Sequence, residues 1–244
     1  MNDILNQHER IALQFSGGKD SLACLYLLRE HWDKITVYWL DTGDAFPEAL
    51  EVIERVKEVV PRFVRVPSSS RAVIEQFGLP TDIVPASCTP MGIEASGGGV
   101  LMQDKFSCCL RTMMIPMHQR MLADGITLII RGQKNADTYK GGLRSGDIEG
   151  GMQCLYPLQD WTDEQVHQYL EAQGIEAPAF YQRGMRSMPD CMTCSGWWDE
   201  GRAAYLKEHH PLHYQEYQSR LNTISDAVGG HIAAFNREVA HDDK

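Results

Sequence analysis

The stretch Ile11-Ala12-Leu13-Gln14-Phe15-Ser16-Gly17-Gly18-Lys19-Asp20-Ser21-Leu22 decides how this chain is read. Ile11 to Phe15 is a short apolar run of the kind that forms a buried strand, and Leu22 to His31 has a helical pattern. Between them lies a glycine-rich turn. A turn so placed makes an anion site, because glycines let backbone N–H groups approach a phosphate and the helix N-terminus adds the positive end of its dipole. Ser16 and Ser21 add hydroxyl donors, and Lys19 supplies a point charge. Asp20 is placed to hold a magnesium ion, which joins phosphate sites through one or two carboxylates. The spacing is not the longer Gly-x-x-x-x-Gly-Lys-Ser/Thr type. A plain turn with capping Ser and Asp is the bland alternative, and six suitable residues in strand-to-helix order argue against it.

Working outward, Ile35–Leu40 and Phe63–Val66 are further β-rich runs, and Pro47 opens a helical pattern with apolar Leu50, Ile53, Val56 and Val60. Strand, helix, strand, helix, strand predicts an α/β fold: a doubly wound, mostly parallel sheet with helices on both faces. Ser68 to Gly99, with Pro80, Pro85, Pro90 and Ser96-Gly97-Gly98-Gly99, reads as less regular and is expected to include a mobile loop. Met113–Leu122 reads as a helix and Ile126–Ile130 as a strand. Asn135–Gly151 reads as a second loop, and Thr162 as the N-cap of another helix. Pro178–Gly201 is again loop-rich. With no repeat and no strong linker, residues 1–200 are expected to form one domain, and 201–244 a helical extension of it.

The composition is that of a globular protein, with 43% hydrophobic and 23% charged residues. No apolar run approaches the roughly 18 residues needed to span a bilayer, and Met1–Arg10 holds no signal-peptide core. The expectation is a cytoplasmic protein without a membrane partner. A net charge of −10 disfavours a non-specific grip on nucleic acid over the whole surface. Arg111, Arg120, Arg131, Lys134, Lys140 and Arg144 nonetheless fall in one central stretch, as a phosphate-binding patch or as solvated surface charge.

Seven cysteines, an odd number, argue against a disulfide framework. Cys24 and Cys154 read as core, and Cys88 as a candidate reactive thiol. Cys108-Cys109, followed after 81 intervening residues by Cys191-Met192-Thr193-Cys194, has metal-ligand spacing. Four thiolates suit either structural zinc or an iron–sulfur cluster. Adjacent cysteines sit awkwardly around one tetrahedral zinc, whereas a cluster offers separate irons.

Ser16–Ser21 resembles the Ser-Gly-Gly-x-Asp-Ser loop of the PP-loop ATP pyrophosphatases. Leu40-Asp41-Thr42-Gly43-Asp44-Ala45-Phe46-Pro47-Glu48 and Pro157-Leu158-Gln159-Asp160-Trp161-Thr162 resemble segments of the phosphoadenosine phosphosulfate (PAPS) reductases. The order is the family's, from about residue 11 to about residue 200. The resemblance implies an adenine nucleotide α-hydrolase-like fold, with the nucleotide at the C-terminal ends of the strands. It implies nucleotide-binding roles for Ser16, Gly17, Gly18, Lys19, Ser21, Asp41, Thr42, Gly43, Gly132 and Lys134, the last standing in for an arginine. Lys19 and Asp20 would be the catalytic pair, Asp20 through Mg2+. The cysteine set is similar to the [4Fe-4S] ligands of adenosine phosphosulfate (APS) reductases. Arg111 and Pro116 match the segment after the tandem pair, where Thr112 replaces a lysine.

One feature of the family is missing. Its reductases carry a nucleophilic cysteine in a C-terminal Glu-Cys-Gly motif, and no cysteine follows Cys194 in these residues. The intact loop and this difference lead to a first expectation, an enzyme that cleaves ATP to pyrophosphate through an adenylyl intermediate. Its setting would be sulfur transfer or nucleic-acid modification, with a sulfur-donor protein and a nucleic-acid acceptor as partners. The second expectation is an APS or PAPS reductase with a displaced nucleophile. The third is a nucleotide-binding regulatory subunit without turnover.

Overall fold

The computed structural model describes residues 1–137, 142–198 and 201–240. In chain order it begins with α1 (Asn2–Asn6), β1 (Ile11–Gln14), α2 (Lys19–Leu27), β2 (Ile35–Asp41), α3 (Pro47–Val59) and β3 (Phe63–Pro67). Next come α4 (Ser70–Phe77), β4 (Leu79–Thr81), α5 (Pro90–Ser96), β5 (Met102–Asp104), α6 (Lys105–Cys109) and a π-helical turn at Leu110–Met114. The remainder is α7 (Ile115–Ala123), β6 (Leu128–Ile130), β7 (Ile148–Glu149), β8 (Met152–Leu155), α8 (Asp163–Ala172), α9 (Arg202–His209) and α10 (Pro211–Val239).

The chain forms two compact units that interleave along the sequence. The first comprises Met1–Asp41, Ala45–Ser68 and Ile115–Arg183. Its six-stranded sheet has the order β3-β2-β1-β6-β8-β7, parallel throughout except for β7, which runs antiparallel to β8. Strand residues alternate between two apolar clusters, as the period of two requires. Ile11, Leu13, Val37 and Ile130 pack with Leu22 and Leu25 of α2, Ile53 and Val56 of α3, and Val166 and Leu170 of α8. Ala12, Tyr38 and Ile129 pack instead with Met117 and Met121 of α7. Both faces are therefore covered, the usual condition for parallel strands.

The second unit comprises Thr42–Asp44, Ser69–Met114 and Gly184 onward. It carries a parallel pair, β4 with β5, together with α4, α5, α6, α9 and α10. Cys88, Met102, Ile224 and Val228 form an apolar cluster within it.

Two local expectations need correction. Ser68–Gly99 is more regular than expected, since it holds α4, β4 and α5. Its breakers act as punctuation: Pro90 occupies the first turn of α5, where a missing N–H costs nothing, and Gly97 closes that helix at φ +76°. Ser69 caps α4 by accepting from the Ala72 N–H at 3.1 Å. The first long helix begins at Lys19 rather than Leu22 and ends at Leu27, with a separate 3-10 turn at Arg29–His31. The loop's own Lys19, Asp20 and Ser21 form its first turn. Thr162 caps α8 as expected, in a full capping box with Gln165. No helix among the described residues is long and apolar enough to cross a membrane.

Candidate functional site

From β1 the first unit's chain moves outward to β2 and β3, then returns to place β6 on the other side of β1. At such a reversal the loops leaving the two neighbouring strands diverge, and open α/β sheets bind ligands in the crevice outside those strand ends. Ser16–Ser21 leaves β1 and Arg131–Lys134 leaves β6. Gly17 adopts φ +84°, a conformation that disfavours any side chain. Gly132 lies so close to α2 that a Cβ there would come within 2.7 Å of the Asp20 carbonyl carbon and oxygen. The loop is braced from within. Ser21 Oγ donates to the Gly18 carbonyl at 3.0 Å, the Gly18 N–H donates to Ser16 Oγ at 3.3 Å, and the two serine hydroxyls lie 3.1 Å apart. The N-cap of α2 is Gly18, which has no side chain to cap the helix and leaves its positive N-terminal end open to an anion.

Two lysines converge here, and both side chains are at least 95% buried. Lys19 Nζ donates to Asp20 at 2.9 Å and to Asp163 at 2.7 Å. Lys134 Nζ lies 2.5 Å from Asp20, 3.0 Å from Asp137 and 3.4 Å from Asp163. Burial alone would lower the Lys134 pKa, but Asp20 and Asp137 outweigh it and raise it above the ordinary lysine value. For Asp163, burial would raise the pKa, while the bond and charge of Lys19, helped by Lys134, hold it below 3.8. Lys19 also meets Tyr181, whose hydroxyl accepts from the Lys19 backbone N–H at 3.4 Å. Two ammonium groups among three carboxylates form a polar nest whose cations an anionic ligand can recruit.

Of the residues expected at the site, Ser16–Ser21, Gly132 and Lys134 come together. Asp41 ends β2 in the same unit and pairs with Arg65. Thr42 and Gly43 belong to the second unit, where Thr42 Oγ1 donates to the Asp190 carbonyl at 3.2 Å. Asp137, Asp163 and Tyr181 were not expected at the loop. Asp163 directly follows the Pro157–Thr162 motif, and that adjacency was the available signal. Within the expected basic patch, Arg120 pairs with Asp124, Arg131 pairs with Glu149, and Lys140 lies outside the described residues.

The four paired cysteines all lie in the second unit. Cys108 and Cys109 end α6, just before the π-helical turn, a distortion often found at functional sites. The Cys191–Cys194 turn is clasped by Asp44, which accepts from the Thr193 N–H at 3.0 Å and from Thr193 Oγ1 at 2.6 Å. The Met192 N–H donates to the Asp44 carbonyl at 2.6 Å. Burial raises the Asp44 carboxyl above the ordinary aspartate range despite these bonds. Burial likewise raises the thiols of Cys108 and Cys191 and pushes Cys109 up to about 11. The neighbouring Cys194 adds to the rise at each of these three thiols. Among the described residues, no three His, Cys, Asp or Glu side chains are arranged to hold a single metal ion. The four side chains are free thiols, and any group they held would have to displace protons from the raised thiols of Cys108, Cys109 and Cys191.

The remaining cysteines divide as expected for two of them. Cys24 in α2 and Cys154 in β8 are buried in the first unit. Cys88 is also buried, but it lines a groove of about 460 Å³ together with Ser87, Val100, Thr223 and Asp226.

Comparison with known proteins places these features in a family context. The family model of the phosphoadenosine phosphosulfate reductase domain matches residues 10–83 and 116–196, leaving Cys108-Cys109 between its two segments. A phosphoadenosine 5'-phosphosulfate reductase of Photorhabdus laumondii is 22% identical over 219 residues, covering 80% of this chain and 79% of the relative. An adenosine 5'-phosphosulfate reductase of Allochromatium vinosum is 19% identical over 247 residues, covering 93% and 88%. In fold, the chain is similar to the crystal structure of phosphoadenylyl-sulfate reductase from Candida auris in its phosphate complex. The TM-score is 0.53 at 14% identity, over 74% of this chain and 81% of that one. The fold is thus of the adenine nucleotide α-hydrolase-like type.

Proposed function

The chain belongs to the phosphoadenosine phosphosulfate reductase domain family, and from that premise we propose that it seats an adenosine phosphosulfate at the Ser16–Ser21 loop for reduction to sulfite. The observation that carries this reading is the convergence of the Lys19 and Lys134 ammonium groups beside the serine-lined loop at the strand reversal. The names of the relatives favour a sulfonucleotide over ATP, against the order of preference drawn from the loop alone.

In this reading Ser16, Gly17, Gly18 and Ser21 cradle the phosphate, and the two lysines leave their carboxylate partners to bind its oxygens. A cysteine thiolate attacks the sulfate sulfur, the bond from sulfur to the bridging oxygen breaks, and the nucleotide leaves with the charge on its phosphate. Lys19 and Lys134 stabilise that developing charge. A dithiol reductant then attacks the cysteine sulfur, sulfite departs with its electron pair, and a disulfide remains. Cys88 is the candidate nucleophile, because it stands outside both the sheet core and the four-cysteine group and lines a groove.

Cys108, Cys109, Cys191 and Cys194 would hold a [4Fe-4S] cluster. When bound, it would supply a fixed local charge and a cross-link between the end of α6 and the Cys191–Cys194 turn.

A second reading keeps the ATP pyrophosphatase, with Asp20 toward magnesium, a sulfur-donor protein and a nucleic-acid acceptor. The presence of Asp20, Asp137 and Asp163 around Lys134 favours it, since carboxylates are the usual protein ligands of a phosphate-bound magnesium ion. One assay separates the readings: sulfite release from APS and PAPS with a dithiol reductant, against pyrophosphate release from ATP. Sulfite that disappears in Cys88→Ser, with an S-sulfo adduct on Cys88 in the native chain, supports reduction. Pyrophosphate without sulfite overturns it. Nucleotide binding with neither product leaves the regulatory subunit.

A further inference from the structure

We propose that Ser87 and His231, at the groove of about 460 Å³ in the second unit, form a serine–histidine pair that hydrolyses short aminoacyl esters. The inference goes beyond the reading above and does not depend on it.

Ser87 Oγ lies 3.0 Å from Nε2 of His231, a residue 144 positions away on α10. Ser87 sits in the 3-10 turn Ala86–Cys88, directly before α5. Turn and helix approach so closely that a Cβ at Gly92 would come within 2.6 Å of Ser87 Cα, so the hydroxyl is carried on a fixed backbone. Of the two adjacent nucleophiles, Ser87 is half-buried with the imidazole beside it, whereas Cys88 is 4% exposed. Gly98 and Gly99 line the same groove, and among the described residues their N–H groups make no hydrogen bond. Asp226 lines it as well, with no ion-pair partner among the described residues, and Val100 and Ala227 supply an apolar wall.

A serine hydroxyl is a weak nucleophile until a neighbouring base takes its proton. With Nδ1 carrying the ring proton, His231 Nε2 accepts from the Ser87 hydroxyl. Ser87 Oγ attacks the ester carbonyl carbon as its proton passes to His231, and the uncommitted glycine N–H groups are the donors available to the developing oxyanion. The bond from carbonyl carbon to alkoxy oxygen breaks, and the alcohol leaves with the proton from His231. Water, deprotonated by the same imidazole, then attacks the acyl-serine, releases the acid and restores the hydroxyl. Asp226 selects the substrate, because its carboxylate attracts an ammonium beside the scissile carbonyl and repels a carboxylate there. A groove of this volume admits a small ligand, and its wall at Val100 and Ala227 suits a short apolar side chain.

The test treats the full chain with a fluorophosphonate probe, followed by peptide mass mapping, and measures hydrolysis of alanine benzyl ester beside N-acetylalanine benzyl ester. The native chain should carry the probe on Ser87. Relative to the uncatalysed rates, it should cleave the free-amine ester about tenfold faster than the acetylated one, the value of one charged contact. Ser87→Ala should abolish both labelling and hydrolysis. His231→Gln should slow both by about 100-fold, the contribution of a general base. Asp226→Asn should erase the preference for the free amine while the Ser87 adduct still forms. A native chain with no adduct on Ser87 overturns the inference, and so does ester hydrolysis that survives Ser87→Ala. Equal relative rates on the two esters overturn the substrate class. Because the adduct and the ester preference are read on the native chain, the test stands even where a variant fails to fold.

Discussion

Lys134, just beyond β6, donates to Asp20 in the first turn of α2 at 2.5 Å, joining positions 114 residues apart. The contact closes the strand reversal with a charge pair whose partners are 1% and 29% exposed. In the proposed function, an incoming phosphate or phosphosulfate would compete with Asp20 for the same ammonium, and the pair would hold the cation in position before the ligand arrives. Its energetic value lies in that pre-organisation, since a buried ion pair is a weak source of net stability.

Replacement of Lys134 by Met should weaken binding of AMP and APS by about tenfold or more, because a charged hydrogen bond contributes about 1.5–3 kcal/mol. Lys134→Arg should restore part of it. Titration calorimetry on the three proteins checks this, and unchanged affinity in Lys134→Met would remove Lys134 from the site.

Asp163 should leave an acid signature. Its folded pKa is below 3.8, so its contribution is present above that unfolded value and lost as pH falls through the folded one. Thermal melts of the native chain and Asp163→Asn should differ near neutrality and converge toward pH 3. A constant gap across that window would contradict the assignment.

Asp44 has the opposite sign. Its folded pKa is raised, so the stability it gives is fully present below 3.8 and declines as pH rises through the folded value. Asp44→Asn can still accept from Thr193 and should melt at or above the native temperature at pH 7. Asp44→Ala should cost about 1–3 kcal/mol by leaving buried Thr193 donors unpaired. Urea titrations of both variants provide the measurement.

Gly132→Ala tests the close approach of the two loops. A Cβ would press on the Asp20 carbonyl from 2.7 Å, and overpacking of this kind costs about 1–3 kcal/mol. Denaturant unfolding should show that loss together with weakened nucleotide binding. A variant with native stability and affinity would mean that the loop can shift freely.

What local chemistry controls was legible in the residues alone. The continuous apolar run at Ile11–Leu13 calls for a strand buried on both faces, Thr162 with Gln165 writes its own helix start, and Ser16–Ser21 puts a glycine turn directly before a helix. Cys24 and Cys154 were legible as core for the same reason. Helices α4 and α5 were not, because prolines and glycines that act as caps look like breakers when only composition is read. Tertiary structure alone decided which distant groups meet. Asp137 and Asp163 reach the loop's lysines because β6 lies beside β1 and α8 packs against α2, and Trp197 reaches Cys109 across 88 positions. A charge pair or a sulfur contact leaves no periodic trace in sequence, since its spacing is set by strand order and packing rather than by the helical or extended repeat.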